Sequence, residues 1–392
     1  MQAKLRRKTI RVNHMTDSTL HTSARSVRIG QAVWDPFVRF FHWSLVTLIT
    51  VAAVTGFVLG PSWIPVHILT ASLAALLVIG RIIWGFAGGR YARFSGFVAG
   101  PVRTVAYARD LLRGREPHYI GHNPLGAAMV LVLMALVLAL GVTGWAFLGA
   151  GAKQGPFALA LPYADSFALL DWHEALAIAL VALVVLHVAG VVFTGKREDE
   201  NLVRAMVTGE KAVGPGDIVP PERAPRLRAA LIGGAVTLAA MAVAWLLPLV
   251  MPVPGAPVAR IDPTTRAECT DCHMLYHPSL LPADDWRTLM ATLDDHYGED
   301  ASLDPETTAQ IRDWLVAHAA GTADTRASKV FRLDPAAGIT RLTDTPFWKD
   351  RHGGIPDAAF KSPEVGSRGN CAACHKDAER GWFSPFQVEV EG

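Results

Sequence analysis

Five apolar segments within the first 250 residues constrain the fold of this chain more than any other feature. They cover residues 37–59, 64–86, 125–148, 172–194 and 227–250. Each is close to the roughly 20 residues that a helix needs to cross a hydrocarbon core about 30 Å thick. Hydrophobic residues make up 51% of the chain and the mean hydropathy is +0.26, which excludes an ordinary soluble protein. The sequence therefore predicts five membrane-spanning helices.

Charge separates these five segments from the rest of the chain. Residues 1–250 contain 23 Lys and Arg against 13 Asp and Glu, whereas residues 251–392 contain 14 against 22. The basic residues of the first part lie in or beside alternate connections, and only Lys153 falls on the other side. The positive-inside rule then predicts a cytoplasmic amino terminus and an exported region after the fifth helix.

Composition and charge together divide the chain into six regions. The connection at 90–120 is basic and aromatic, so we expect a helix along the membrane surface there. In the first region, Met15 could be the true start. The predicted regions are a basic cytoplasmic extension (1–29), a four-helix membrane domain (30–197), a cytoplasmic linker (198–226), a fifth transmembrane helix (227–250), a Pro-rich linker (251–263) and an extracytoplasmic domain (264–392).

Four histidines fall inside the apolar segments, where a polar side chain is costly unless it binds something. His173 and His187 are 14 residues apart, close to four helical turns, so both leave one helix face about 21 Å apart along the axis. Depth in the membrane pairs His42 with His187 and His67 with His173. Each pair could hold one haem iron from opposite sides. Hydrogen bonding between helices is the simpler alternative, and zinc would be under-ligated.

Several motifs around these histidines resemble the bacterial cytochrome b561 family, which includes the b-type subunits of membrane hydrogenases. The resemblance covers about residues 30–197 and implies a four-helix bundle with two non-covalent b haems on the four histidines. It places Arg39 near a haem propionate, although a plain positive-inside charge explains this residue equally well. A quinone headgroup could dock at His122 and Asn123, where a helix cap is the simpler interpretation. The motifs are Val33-Trp-Asp-Pro36, Arg39, His42-Trp43, Gly121-His-Asn-Pro-Leu-Gly-Ala127 and the pair His173 and His187.

All four cysteines lie in the acidic carboxyl-terminal region, within two CxxCH motifs. These are Cys269-Thr-Asp-Cys272-His273 and Cys371-Ala-Ala-Cys374-His375. CxxCH is the attachment signature of c-type haem, in which two thiols bond to the porphyrin and the histidine binds iron. A zinc ribbon or a thioredoxin-like CxxC is the alternative. The histidine after both pairs, the use of every cysteine and the exported location disfavour it.

The other histidines of this region are candidates for the sixth ligands of the two c haems. On a helix, His277 would leave the same face as His273, and His318 suits a helix carboxyl terminus. Residues 264–386 resemble the dihaem cytochrome c family, which implies His296 and His352 as distal ligands without deciding which iron each one serves. His277 departs from that family's pattern. The resemblance rests on Leu280-Leu-Pro with Trp286, on His296-Tyr-Gly-Glu-Asp-Ala-Ser-Leu303, and on Asn370 to His375 with Ala378-Glu-Arg-Gly381.

Together these features predict an all-α protein: a transmembrane four-helix b-type cytochrome bundle, a fifth transmembrane helix and a small, mostly helical dihaem c-type domain. Bis-histidine irons have no open position, so we expect a tetrahaem cytochrome that transfers electrons between membrane quinone and a soluble periplasmic carrier or haem protein. It would lie in lipid, in the bacterial inner membrane, and bind no nucleic acid. One alternative, implied by similarity to some b561 members, is a superoxide-oxidising quinone reductase that uses Lys153. Another is a haem anchor subunit of a separate dehydrogenase or hydrogenase.

Overall fold

The structure, a computed structural model, describes residues 29–115, 117–213, 217, 221 and 223–389. Nearly all of the predicted extension 1–29 lies outside these residues, as does part of the predicted linker 198–226. Among the described residues five helices are long and apolar enough to cross a membrane, which confirms that prediction. The elements of the first part are β1 (Ile29–Ala32), α1 (Pro36–Phe57), α2 (Ile64–Ala87), α3 (Phe94–Phe97), α4 (Pro101–Arg113), α5 (Pro124–Ala152), α6 (Ser166–Arg197), α7 (Leu202–Thr208), β2 (Glu210–Val213) and α8 (Leu227–Val250).

Local sequence fixes where the spanning helices begin. A proline occupies the first turn of both α1 and α5, where its missing N–H costs nothing. Before each proline stands a capping side chain: Asp35 accepts a hydrogen bond from the Val38 N–H at 2.8 Å, and Asn123 accepts one from the Gly126 N–H at 2.7 Å. Asn123 therefore has the capping role that the sequence offers as the simpler interpretation.

Helices α1, α2, α5 and α6 pack side by side as the membrane bundle, and α8 lies against α2. Their shared core is apolar and lies between the helices, with Phe41, Val78, Met134, Val137 and Leu180 buried. Helices α1 and α5 run from one end of the bundle to the other, and α2 and α6 return. We call the end where α1 begins the amino-terminal end, and the other the domain-facing end.

A small antiparallel sheet closes the amino-terminal end. Strand β1 pairs with β2 so that Ile29 lies opposite Val213 and Ala32 opposite Glu210. Directly after β1, the backbone N–H groups of Val33 and Trp34 donate to the Gly209 carbonyl at 2.8 and 3.0 Å. The predicted linker 198–226 includes Gly209 and β2, and within it residues 201–213 pack onto the bundle. Four-residue strands in a charged stretch carry no periodicity long enough to reveal them.

The carboxyl-terminal domain is built from short helices around a compact core. Its buried core includes Leu280, Trp286, Met290, Ile311 and Trp348. With this domain the chain is mostly helical, as predicted. The helices are α9 (Pro263–Cys269), α10 (Ala283–Ala291), α11 (Pro305–Ala317), α12 (Arg326–Val330), α13 (Pro346–His352), α14 (Asp357–Phe360) and α15 (Cys371–Cys374).

This domain is docked on the bundle by specific polar contacts. The Lys153 ammonium, on the loop after α5, donates to the Asp324 carboxylate at 2.7 Å. The neighbouring Gln154 side chain donates to the Ser384 hydroxyl at 2.7 Å, and a 3-10 turn at Pro385–Gln387 packs against α2. The Pro-rich linker joins the same contact, because the Asp324 N–H donates to the Gly255 carbonyl at 2.9 Å.

Candidate metal centres

The clearest pair of histidines in the bundle lies at the domain-facing end. The ring centroids of His67 on α2 and His173 on α6 are 6.1 Å apart, and the ring planes are inclined by 79°. A metal–nitrogen bond of about 2 Å on each side, plus the half-width of each ring, separates two axial imidazoles by about 6 Å. The two rings therefore have the spacing of ligands on opposite sides of one iron.

Neighbouring helices hold these two rings by their Nδ1 atoms. His67 Nδ1 donates to the Ala52 carbonyl at 2.9 Å. His173 Nδ1 lies 3.1 Å from the Thr143 hydroxyl, whose own proton goes to the Ala139 carbonyl, so this hydroxyl accepts the ring N–H. Such a bond orients an imidazole and leaves Nε2 for a metal.

Glycines make room for these two rings. A Cβ at Gly56 would lie 3.1 Å from His67 Cε1, and one at Gly144 would lie 3.1 Å from His173 Cε1. Both approaches are tighter than ordinary carbon contacts. Each histidine therefore packs directly against the backbone of the next helix.

The other predicted pair, His42 and His187, lies at the amino-terminal end. The two side chains are close enough to interact electrostatically. Within the described residues no ring contact joins them, and the His42 ring packs edge-on against Trp43 at 5.0 Å. His42 Nδ1 is buried without a hydrogen-bond partner. The structure thus brings these histidines to one level without the defined spacing of His67 and His173.

His122 lies close to this level, between α5 and the segment that precedes α1. Its ring packs against Trp34 at 4.8 Å and Phe97 at 4.6 Å, and its Nδ1 is buried without a partner. Burial, with smaller contributions from the nearby Arg81 and Lys211 cations, lowers the pKa of His122 to about 3. The ring is therefore a neutral polar group at pH 7.

In the carboxyl-terminal domain, the first CxxCH histidine is paired with His296. The centroids of the His273 and His296 rings are 6.2 Å apart and the planes are inclined by 30°. His273 Nδ1 donates to the Met274 carbonyl at 2.7 Å, which leaves Nε2 free. The sequence alone did not decide which distal histidine belongs to this motif.

The second CxxCH histidine, His375, is paired with His352 in the same way. The ring centroids are 6.2 Å apart and the planes are inclined by 71°. His352 Nδ1 donates to the Trp348 carbonyl at 2.9 Å, and the His352 ring stacks on the Trp348 ring at 4.6 Å. Burial, with a smaller contribution from His352, lowers the pKa of His375 to about 4, so its imidazole is neutral at pH 7, the form that binds metal.

The remaining two histidines of this domain have structural roles. His277 is fully buried, its Nε2–H donates to the Val258 carbonyl at 3.0 Å and its Nδ1 accepts from the Ser279 N–H at 3.2 Å. His318 follows α11, where its Nδ1–H donates to the Trp314 carbonyl at 2.8 Å. Both ring nitrogens of His277 are therefore in use. Its ring fastens the linker to the domain, which explains why it is not among the predicted ligands.

The two CxxCH motifs lie against each other. The Ala372 N–H, inside the second motif, donates to the Met274 sulfur at 3.3 Å, and the Tyr276 hydroxyl donates to the Gly369 carbonyl at 2.7 Å. Burial raises the pKa of the Cys371 thiol to about 11, so the free thiol is protonated at pH 7 and is a poor redox nucleophile.

Two cations singled out in the sequence already have protein partners. Arg39 Nη1 donates to the carbonyls of Val207 and Thr208, at 2.8 and 3.2 Å, and so caps α7, while its Nε is buried without a partner. The Lys153 side chain is 2% exposed and is held by Asp324 and by the Leu161 carbonyl. Neither side chain stands free at a surface.

Comparison with known proteins identifies both parts of the chain. The family of prokaryotic cytochrome b561 matches residues 33–209. The chain is 30% identical over 230 residues to the probable Ni/Fe-hydrogenase B-type cytochrome subunit of Cupriavidus necator, a match that covers 50% of this chain and 91% of that protein. The chain belongs to the prokaryotic cytochrome b561 family. This b561 cytochrome is also 23% identical over 229 residues to the probable Ni/Fe-hydrogenase 1 B-type cytochrome subunit of Escherichia coli K12, over 50% of this chain and 96% of that one.

The carboxyl-terminal domain of this b561 cytochrome matches the dihaem cytochrome c family over residues 265–383. It is similar to the diheme cytochrome c from Rhodobacter sphaeroides, with 42% identity, 33% of this chain and 99% of that chain covered, and a TM-score of 0.28. It is also similar to the diheme cytochrome type c from Shewanella baltica OS155, with 37% identity. That match covers 33% of this chain and 93% of that chain, with a TM-score of 0.27. The protein is therefore a membrane b-type cytochrome with a dihaem c domain, and it transfers electrons.

The residues present fit both types of haem. Three histidine pairs have the ring spacing of axial ligands, and two of them include the histidine of a CxxCH motif. Arg81, which is absent from the predicted site residues, is buried at the amino-terminal end with an unpartnered nitrogen. The available signal was a lone arginine inside an apolar segment, which marks a functional position in a membrane helix.

Proposed function

We propose that this protein is a tetrahaem cytochrome that carries electrons between membrane quinone and a soluble periplasmic redox partner. It would hold two haem b, on His67 with His173 and on His42 with His187. It would hold two haem c, on Cys269, Cys272 and His273 and on Cys371, Cys374 and His375. The distal ligands would be His296 and His352 respectively. Bis-histidine iron has no position for substrate, so the cofactors supply electron transfer only.

The observation that carries this proposal is a common ring spacing in two domains that touch. His67 and His173 are 6.1 Å apart by ring centroids, and the two pairs of the c domain are each 6.2 Å apart. The c domain is docked on the domain-facing end, where the first of these pairs lies. The spacing supports iron between each pair, and the docking supports a continuous electron path.

The docking also suggests the order of the haems. His375 pairs by backbone with Val388, directly after the 3-10 turn Pro385–Gln387 that packs on α2, the helix that carries His67. His273 is exposed and lies on the other side of the contact between the CxxCH motifs. Electrons leaving the bundle would therefore enter at the His352 and His375 haem and leave at the His273 and His296 haem.

The proposed location is the bacterial inner membrane, with the amino terminus in the cytoplasm and the c domain in the periplasm. Basic residues concentrate at the amino-terminal end of the bundle, among them Arg39, Arg90 and Arg93, which supports this orientation. Haem c attachment and four cysteines outside the bundle agree with an exported domain.

Potentiometry on isolated membranes tests the proposal. We expect equal amounts of b and c haem by pyridine haemochrome analysis. We also expect quinol to reduce the b haems before the c haems, and an added soluble acceptor to oxidise the c haems first. Reduction of c haem by quinol in a variant that has lost both b haems would contradict the path.

A second candidate is a haem anchor subunit for a separate hydrogenase. It is favoured by the similarity to proteins named as B-type cytochrome subunits of Ni/Fe-hydrogenases. Copurification of a large catalytic subunit, with hydrogen-dependent reduction of the b haems, would support it. The c domain would then be an additional branch of the electron path.

The superoxide-oxidising alternative has less support. It requires Lys153 to be reachable by a small anion, but its side chain is 2% exposed and ion-paired with Asp324. If purified protein reduced quinone with superoxide and a Lys153→Met variant did not, this alternative would displace the first proposal.

A further inference from the structure

Arginine is rare in the interior of a membrane helix, and Arg81 is buried there with its Nη1 unpartnered among the described residues. It lies six residues before the end of α2, and the residue is 2% exposed. His42 lies six residues after the start of the adjacent α1, so both side chains leave their helices about 9 Å from the same end. Arg81 is thus at the level of the proposed haem on His42 and His187.

The guanidinium lacks the partner that a buried cation requires. Arg81 Nη1 is buried and makes no hydrogen bond, and the group lies over the Phe94 ring at 5.5 Å. No carboxylate among the described residues forms an ion pair with it. A buried charge without a hydrogen-bonded counter-charge is costly, so an anionic hydrogen-bond acceptor is expected at this position.

The one carboxylate among the described residues that is seen to interact with Arg81 is already engaged. Asp35 interacts electrostatically with Arg81. However, one oxygen of Asp35 accepts the Val38 N–H at 2.8 Å and the other accepts the Trp84 indole N–H at 2.9 Å. Asp35 therefore caps α1 and fastens α2 to it, without a direct bond to the guanidinium.

Other unpartnered groups lie at the same end of the bundle. Buried polar atoms without hydrogen-bond partners there also occur on Arg39, His42, Arg90, Tyr91, His122 and Glu200. His122 interacts electrostatically with both Arg81 and His187. The site therefore offers several donors beside the histidine level.

We propose that Arg81 binds a propionate carboxylate of the haem held by His42 and His187. A guanidinium binds a carboxylate through two parallel hydrogen bonds, and haem carries two propionates. Arg39 is the residue that the sequence suggests for this role, but its Nη1 already donates to carbonyls of α7. The inference rests on the proposed function, because it requires haem at this level.

The test is redox potentiometry of the b haems in the full-length protein with Arg81→Gln. Loss of the cation leaves a propionate charge uncompensated beside the iron, which favours the oxidised state. We expect the reduced-to-oxidised ratio of the amino-terminal b haem to fall about tenfold at fixed ambient potential, equivalent to about 59 mV for one electron. The potential of the domain-facing b haem should stay unchanged. Loss of the amino-terminal b haem alone would also support the inference.

Arg93→Gln is the matched control. Arg93 is a buried arginine near the same end, 7% exposed, but its donors are satisfied by the Gly88 and Ala224 carbonyls at 2.7 and 2.8 Å. It should leave both b potentials unchanged. If Arg39→Gln produced the shift and Arg81→Gln did not, the inference would be wrong.

Two further arms separate the remaining outcomes. If Arg81→Gln removed both b haems, Arg81→Lys would decide: retention of both haems, with a smaller shift of the amino-terminal one, supports the inference, and an unshifted potential overturns it. A lipid phosphate would instead make the wild-type potential depend on anionic lipid in nanodiscs, which would also overturn it. Wild-type protein with fewer than two b haems would contradict the proposed function itself.

Discussion

The two ends of the membrane bundle hold their histidines in different ways. At the domain-facing end, His67 and His173 have ring centroids 6.1 Å apart, and a backbone carbonyl or a hydroxyl fixes each Nδ1. At the amino-terminal end, His42 and His187 share a level without ring contact, and buried nitrogens there have no protein partners. Protein groups alone orient the two rings at the first end. At the second end, the proposed haem would complete the hydrogen bonding.

This difference suggests different tasks. A site that the protein has already organised requires little rearrangement and suits rapid exchange with the adjacent c domain. A site rich in unpartnered donors binds the polar edge of its ligand strongly and can set its potential through charge.

The largest expected effect is loss of one whole b haem. Alanine substitution of either His67 or His173 should cause loss of the same b haem, because a single ligand binds non-covalent haem too weakly to retain it during purification. The double variant should lose no more. Replacing His42 or His187 should abolish the other. Haem b and haem c are measured by pyridine haemochrome spectra, and His318→Ala should retain all haems. Loss of different haems from His67→Ala and His173→Ala would refute the pairing.

Removing a distal ligand in the c domain should have a smaller effect, because haem c stays covalently attached. We expect His352→Ala to convert one c haem from low spin to high spin and His296→Ala to convert the other. Electron paramagnetic resonance measures this as loss of about half of the low-spin c signal for each variant, as expected for two independent sites. His277→Ala should leave both signals, since its ring nitrogens bind Val258 and Ser279. If it converted a haem, the ligand assignment would be wrong.

Overpacking should affect the ends of the bundle unequally. In Gly144→Ala, the new Cβ would lie 3.1 Å from His173 Cε1, and shifting the ring should cost about 1–3 kcal/mol. We expect faster thermal loss of the domain-facing b haem alone. Gly190→Ala, on α6 near His187, meets nothing within 4 Å and is the matched control. Equal effects of the two variants would remove the contrast between the ends.

The smallest expected effect concerns pH and the docking contact. Burial opposes ionisation of Asp324, but hydrogen bonds from the Lys153 ammonium and the Tyr163 N–H, together with the Lys153 charge, outweigh it and hold the pKa of Asp324 below its ordinary 3.8. The contribution of Asp324 to docking is therefore complete above pH 3.8. It is lost as the pH falls through the lowered pKa of the folded protein. Stopped-flow transfer from b to c haem should slow at acidic pH.

The Asp324→Asn variant should transfer more slowly at neutral pH and lose this acid dependence. Asp300→Asn provides the control, because the pKa of Asp300 is also lowered, by Ser302, but this residue lies outside the contact. An unchanged acid profile in Asp324→Asn would show that another group controls docking.

Local patterns were enough to predict the helical class, the five spans and the CxxCH motifs. The 14-residue interval between His173 and His187 placed two ligands on one face of α6, and depth matched His67 to His173. These inferences need only helix geometry and the thickness of a bilayer.

What sequence could not reveal depends on contacts between distant residues. The partners His296 with His273 and His352 with His375 are set by how short helices fold around each other, which no local period encodes. The pairs β1 with β2 and Lys153 with Asp324 join residues more than 170 positions apart. Arg81 was visible as a lone charge, but only the fold shows that it lacks a partner.

One helix carries a proposed ligand for each level of the bundle. His173 and His187 belong to α6, which is 32 residues long and uninterrupted. Any two metals bound by these rings keep a separation that backbone hydrogen bonds set, at about 21 Å along the axis. Changes in bilayer thickness or in the tilt of the bundle would alter access of lipid-soluble donors. They would leave the electron-tunnelling distance, and therefore the intrinsic rate between the two levels, the same in every membrane.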